Sequence, residues 1–244
     1  MSAPAYRTRL FLLFALWWLA WAYRPWNFSD WLLENLLTVA FVSLLFFTRR
    51  VFPLSNVSYT VLFIFLCLHT VGAHYTYADV PYEKWFSTVG ISIQKTFGFV
   101  RNHFDRLAHF SFGFLFAYPM REFFMRIAGT RGAWSYYLPV ELVMALSMLY
   151  ELIEWLAAAV VGGDLGMAYL GTQGDVWDAH KDMALATLGA CFGMLIVAGI
   201  NFRYQRDFAD EFLSSLRVKL EAPLGEVKLR EYRDNRRQEP GTSE

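Results

Sequence analysis

Three pairs of ionisable residues recur in this chain at helical spacing. Asp105 and His109 stand four apart in RNHFDRLAHFSFGF, Glu151 and Glu154 three apart in YELIEW, and Asp178 and Asp182 four apart in GDVWDAHKDMALATLGA. Residues three or four apart share one face of a helix, so each pair presents its polar groups in one direction. Carboxylates mixed with imidazole are ligands for a divalent cation such as Zn, Mn or Mg. The same groups suit general acid–base work or a proton relay. No HExxH, P-loop or GxSxG accompanies them, so spacing alone does not choose among these chemistries. Structural roles compete at each site. Asp105 fits a helix N-cap, as do Asp175 and Asp178, while Arg106 and Lys181 are local charge partners. His180, between Asp178 and Asp182, points to another face.

The elements that must hold these residues lie in a membrane. Of the 244 residues 56% are hydrophobic and 18% charged, a balance too apolar for an ordinary soluble domain. The net charge is zero, which gives a nucleic-acid partner no electrostatic support. A span takes about 20 mostly apolar residues. Six stretches qualify, at 9–25, 31–48, 57–74, 105–124, 135–161 and 181–201. The expected fold is therefore all-α, a polytopic transmembrane bundle over 1–201 followed by a soluble, partly disordered cytoplasmic tail over 202–244. No small-residue cleavage site follows the first stretch, so it is expected to stay as an anchor. Cys67 and Cys191 sit inside apolar runs and read as packing residues.

The basic residues Arg7, Arg9, Arg49, Arg50, Arg121, Arg126, Arg131, Arg203 and Arg206 fall on one side of a six-span arrangement. The positive-inside rule then puts both termini in the cytoplasm. Most acids fall on the other side: Asp30, Glu34, Asp79, Glu83, Asp105, Glu151, Glu154, Asp164, Asp175, Asp178 and Asp182, with His74, His103, His109 and His180. Glu151 lies about ten residues from the outer end of its span, roughly 15 Å deep at the helical rise. An ionised acid there costs about 2.5–3.5 kcal/mol on insertion scales, so Glu151 and Glu154 need partners on another helix. On the inner side Arg121 can pair with Glu141, and Pro119 should kink the fourth span.

Phe86, Val89, Ile93, Phe97, Val100 and Phe104 recur every three or four residues. They predict an amphipathic helix near 84–104 lying in the outer interface. The tryptophans Trp17, Trp18, Trp21, Trp26 and Trp31 suit interfacial belts. Ala186, Gly189 and Gly193 form a small-residue stripe that lets the last span approach a neighbour closely. In the tail, Phe208, Phe212, Leu216 and Leu220 mark a short amphipathic helix, with disorder expected after about Pro223.

The blocks HYTYADVPYEKW, RNHFDRLAHFSFGFLFAYPMREFF, YELIEW and GDVWDAHKDMALATLGA, in that order, resemble the YjdF-like family of bacterial inner-membrane proteins. They are also distantly similar to VanZ-like membrane proteins, which are linked to glycopeptide resistance and share an acid-and-histidine pattern at span ends. The resemblance covers the spans and not the tail. It implies a multi-pass inner-membrane protein and brings no assigned chemistry. Glutamine is frequent in that family at the position of His180, which leaves Asp105, His109, Glu151, Glu154, Asp178 and Asp182 as the candidate ligands.

Three readings follow. In the first, an outward-facing Asp/Glu/His cluster binds a metal ion or a lipid headgroup, with membrane lipid or a lipid-linked small molecule as partner. In the second, the protein is a structural or accessory component whose buried polar residues only fix helix packing. A small transporter is the third, weakened by the absence of inverted repeats.

Overall fold

A computed structural model describes residues 3–161, 172–219 and 225–238. These form helices α1 (Ala3–Trp21), α2 (Phe28–Thr48), α3 (Asn56–His74), α4 (Tyr82–Ser87), α5 (Ile93–Phe97), α6 (Phe104–Ile127), α7 (Trp134–Val161), α8 (Asp178–Tyr204), α9 (Phe208–Ser215) and α10 (Glu226–Gln238), with no strand among the described residues. Asp164 and Pro223 lie outside them. Four helices, α2, α3, α7 and α8, are long and apolar enough to cross a membrane. Two more are of similar length, α1 with 19 residues and α6 with 24. α6 runs through Pro119 without interruption.

The bundle is organised around the α6–α8 contact, and glycine makes that contact possible. A Cβ at Gly113 would sit 1.8 Å from the carbonyl oxygen of Ala186, and one at Gly189 would sit 2.1 Å from that of Phe110. No side chain fits in either place, so the two backbones touch. Ala117, Ala186 and Ala190 around them are fully buried. The small-residue stripe expected on α8 is thus in place, and Gly113 is its counterpart on α6.

Around this pair, α3 packs antiparallel to α6 through Phe65, Phe112 and Phe116, whose rings lie 4.7–5.8 Å apart. α1 lies beside α3 in the same direction, with Tyr6 bonded to Thr60 at 2.6 Å and the Trp17 indole donating to the Cys67 carbonyl at 3.1 Å. α2 runs the opposite way, so that Trp18 donates to Asn35 at 2.5 Å. The N-termini of α2, α6 and α8 and the C-termini of α1, α3 and α7 therefore gather at one end, which also carries Trp21, Trp26 and Trp31. Asn27 begins α2 by accepting from the Ser29 and Asp30 amides, and Ser55 begins α3 by accepting from that of Ser58.

Three local expectations are corrected. The segment 84–104 is not one helix. It is split into α4 and α5 at Gly90 and broken again at Gly98, whose φ angles of 78° and 68° lie in the left-handed region. Glycine adopts that region at little cost, and a helix cannot continue through it. Asp105 does not cap α6. His103 occupies the N-cap position without a side-chain capping bond, and Asn102 just before it accepts from the Phe104 amide at 2.9 Å, which leaves the Asp105 side chain for another use. Arg121 does not reach Glu141. It lies over the Tyr136 ring and donates to Ser135.

In the tail, α9 is tied to the α6–α7 turn. Ser215 accepts from the Ala133 amide at 2.9 Å and Glu211 from that of Gly132 at 3.3 Å, while Phe208 and Phe212 pack on Tyr136. Residues 226–238 form a helix, exposed over 226–235. Their composition of Glu, Lys, Arg, Leu and Gln favours helix by propensity alone.

A buried carboxylate and histidine cluster between helices

At the end where α6 and α8 begin, their first turns face each other across the glycine contact and α7 completes a wall. Asp105 and His109 project from α6 and Asp182 from α8. One potential ligand atom from each lies within 4.8 Å of the other two. His109 Nε2 stands 3.6 Å from Asp105 Oδ1 and 3.5 Å from Glu151 Oε1 on α7. These separations exceed the 2.7–3.2 Å of good hydrogen bonds. They are close to the edge of about 3.4 Å that a tetrahedron has when its ligands sit about 2.1 Å from a central cation. Asp182 is 2% exposed, and its Oδ1, like Glu151 Oε1, is buried without a hydrogen-bond partner. A buried polar atom left without a partner costs about 1–3 kcal/mol, and two of them here face one small space.

The other two predicted ligands are used differently. Glu154, one turn beyond Glu151, is not among the side chains that converge with Asp105, His109 and Asp182. Asp178 is buried in ion pairs. Arg101 donates to it, and Arg106 Nη2 lies 3.4 Å from the same oxygen. Asp175 accepts from Arg106 at 2.7 Å and from Lys181 at 2.5 Å. The Lys181 hydrogen bond, followed by that of the Trp177 amide, lowers the Asp175 carboxyl to about 2. Arg101 also donates to the Thr172 carbonyl at 2.6 Å. A lattice of two arginines, one lysine and two aspartates therefore covers the deeper acids. His103 completes it, accepting from Arg106 Nη1 at 3.1 Å. Burial and then the neighbouring guanidinium hold its imidazole below the ordinary value, in keeping with that acceptor role.

α2 adds a polar stripe beside this cluster. Asp30, Glu34 and Thr38 are all buried, spaced every four residues along one face of an otherwise apolar helix. Tyr150 donates to Glu34 at 3.1 Å, which links this stripe to the residue beside Glu151. The Tyr77 hydroxyl meets His69 Nδ1, its backbone held at a φ of 54° by the turn after α3. That four-residue spacing was a readable signal for Glu34. The Tyr77 contact depends on a turn geometry that no local pattern announces. His180 lies at the surface against Trp177.

The family described as predicted membrane protein (DUF2238) matches residues 6–203. The chain belongs to this family. Inner membrane protein YjdF of Escherichia coli (strain K12) is 38% identical over 179 residues, which is 73% of this chain and 82% of that protein. No solved structure matches. The match to DUF2238 covers every helix that contributes to the cluster and ends before α9.

Proposed function

We propose that this DUF2238 member is a six-span protein of the bacterial inner membrane whose outward-opening end binds one divalent cation on Asp105, His109 and Asp182, with Glu151 as the fourth ligand. The spans are α1, α2, α3, α6, α7 and α8, with both termini in the cytoplasm, a direction that rests on the arginines flanking their opposite ends. The name of the Escherichia coli relative supports the inner membrane. One observation carries the cation: ligand atoms from two helices converge within 4.8 Å, and fully buried Asp182, one of the three residues, keeps an oxygen without a hydrogen-bond partner. A cation there would satisfy the orphaned oxygens and offset charge that lipid rejects. The mixed N/O ligand set suits Zn or Mn better than Ca.

Metal analysis of the purified protein tests this reading. We expect one Zn or Mn per chain, lost in the His109→Ala, Asp182→Asn double variant. Absence of any stoichiometric divalent ion, together with a thermal midpoint indifferent to chelator, would overturn it. The packing-only reading is favoured at Asp178, whose carboxylate is committed to Arg101 and Arg106.

A further inference from the structure

The cation does not explain the lattice above it. Arg101 and Arg106 are drawn to the mouth of the cluster from the coil before α6 and from its first turn. Arg106 has electrostatic reach to both Asp105 and Asp182. Its Nε is buried and has no hydrogen-bond partner. Three cations, Arg101, Arg106 and Lys181, face two acids, Asp175 and Asp178. Around this polar mouth the surface is apolar. Phe86, Val89, Phe97 and Val100 on the α4–α5 segment are exposed, and so are Val176 and Trp177 just before α8.

We propose that the group brought to the cation is the phosphate of a membrane amphiphile, an inference that rests on the metal reading above. A divalent cation set among three carboxylates, Asp105, Glu151 and Asp182, holds no surplus positive charge with which to draw an anion. The guanidiniums supply it, and their planar fork matches phosphate oxygens. A phosphate can present one oxygen to the cation and another to the partly exposed Arg106 guanidinium. The exposed apolar rim assigns the remainder of the ligand. Acyl or prenyl chains can lie against Phe86, Phe97 and Trp177 while the headgroup turns inward. A free phosphate would have no use for that rim.

The test uses full-length protein in phosphatidylcholine nanodiscs, with bound Mn²⁺ counted first. The probes are dioleoyl phosphatidic acid, dioleoylglycerol and inorganic phosphate. We expect phosphatidic acid to bind saturably and in a Mn²⁺-dependent manner, while dioleoylglycerol does not bind. Arg106→Gln should weaken phosphatidic acid roughly tenfold, the scale of a lost charge-assisted hydrogen bond, and leave Mn²⁺ content unchanged. Arg101→Lys, which keeps the charge and loses the fork, serves if Arg106→Gln does not fold, and should also weaken binding. Equal competition by inorganic phosphate would support the phosphate site and overturn its lipid source. Stoichiometric Mn²⁺ with no phosphatidic acid binding would overturn this inference and leave the metal reading standing. Phosphatidic acid binding that ignores both Mn²⁺ and the arginine variants would overturn it too. Phosphatidic acid binding that needs Arg106 in protein holding no cation would overturn the metal reading and uphold the phosphate site.

Discussion

The two ends of α6 each hold an acid, and they treat it in opposite ways. At the C-terminal end, Glu122 accepts from the Ser55 amide at 2.9 Å, from the Ser58 hydroxyl at 2.6 Å and from Arg126 at 2.8 Å. Every partner has an obvious structural task, since Ser55 and Ser58 form the start of α3. At the N-terminal end, Asp105 and His109 meet Asp182 and Glu151 at distances too long for good hydrogen bonds, and one oxygen each of Glu151 and Asp182 has no hydrogen-bond partner. The backbone frame between them is common to both. A satisfied acid fixes a helix. An unsatisfied group of acids on rigid helices costs stability, which makes that end the candidate place for a ligand.

The contrast can be broken most severely through that common frame. Gly113→Val should cost about 3 kcal/mol or more, because overpacking a backbone contact leaves the neighbour nowhere to move. Loss of the folded fraction on size exclusion, with metal binding lost as well, would be the readout. Next in size, Asp182→Asn should lower cation affinity on the order of 100-fold, at the upper end of what supporting groups alone contribute. Its metal-free thermal midpoint should match or exceed that of wild type, since an orphaned carboxylate is removed. Glu122→Ala should show the reverse pattern: a loss of about 1–3 kcal/mol from orphaning the Ser55 amide, with metal content intact. If Glu122→Ala lost metal while Asp182→Asn lost only stability, the distinction between the two ends would be wrong.

Smaller effects sharpen the picture at the mouth. The Asp175 carboxyl is lowered to about 2, first by Lys181, against an ordinary value of about 3.9. A lowered carboxyl contributes stability that is fully present above its ordinary range and is lost as pH falls toward the folded value. The thermal midpoint of wild type should therefore drop between about pH 5 and pH 3 by more than that of Asp175→Asn. The smallest effect is expected for His180→Gln, whose parent side chain touches Trp177 at the surface. Metal content should not change, and stability should stay within about 0.5 kcal/mol.

The long apolar runs were legible because lipid imposes a period and a length that composition alone reveals. The i, i+4 pairs on α6 and α8 were legible for the same geometric reason, as was the Ala186–Gly189–Gly193 stripe. Less visible was the division of labour among the acids. Asp178 and Asp182 are equivalent on a helical wheel, yet Asp178 is ion-paired with two arginines and Asp182 with none, and one of the two, Arg101, arrives from a coil 77 residues away in sequence. The break between α4 and α5 is invisible to periodicity. The apolar spacing across it is regular, and only the left-handed glycines show that the chain turns there.

The sequence by itself determined that this is an all-helical membrane protein and that acids and histidines collect at the ends of its helices, since burial in lipid permits little else. Which of those groups share one small space was decided by the tertiary structure. Gly113 and Gly189 let two backbones touch, and that single contact sets the rotation and depth at which Asp105, His109 and Asp182 face one another. Helical spacing fixes the direction of a side chain only relative to its own axis. The direction relative to a neighbouring helix comes from packing.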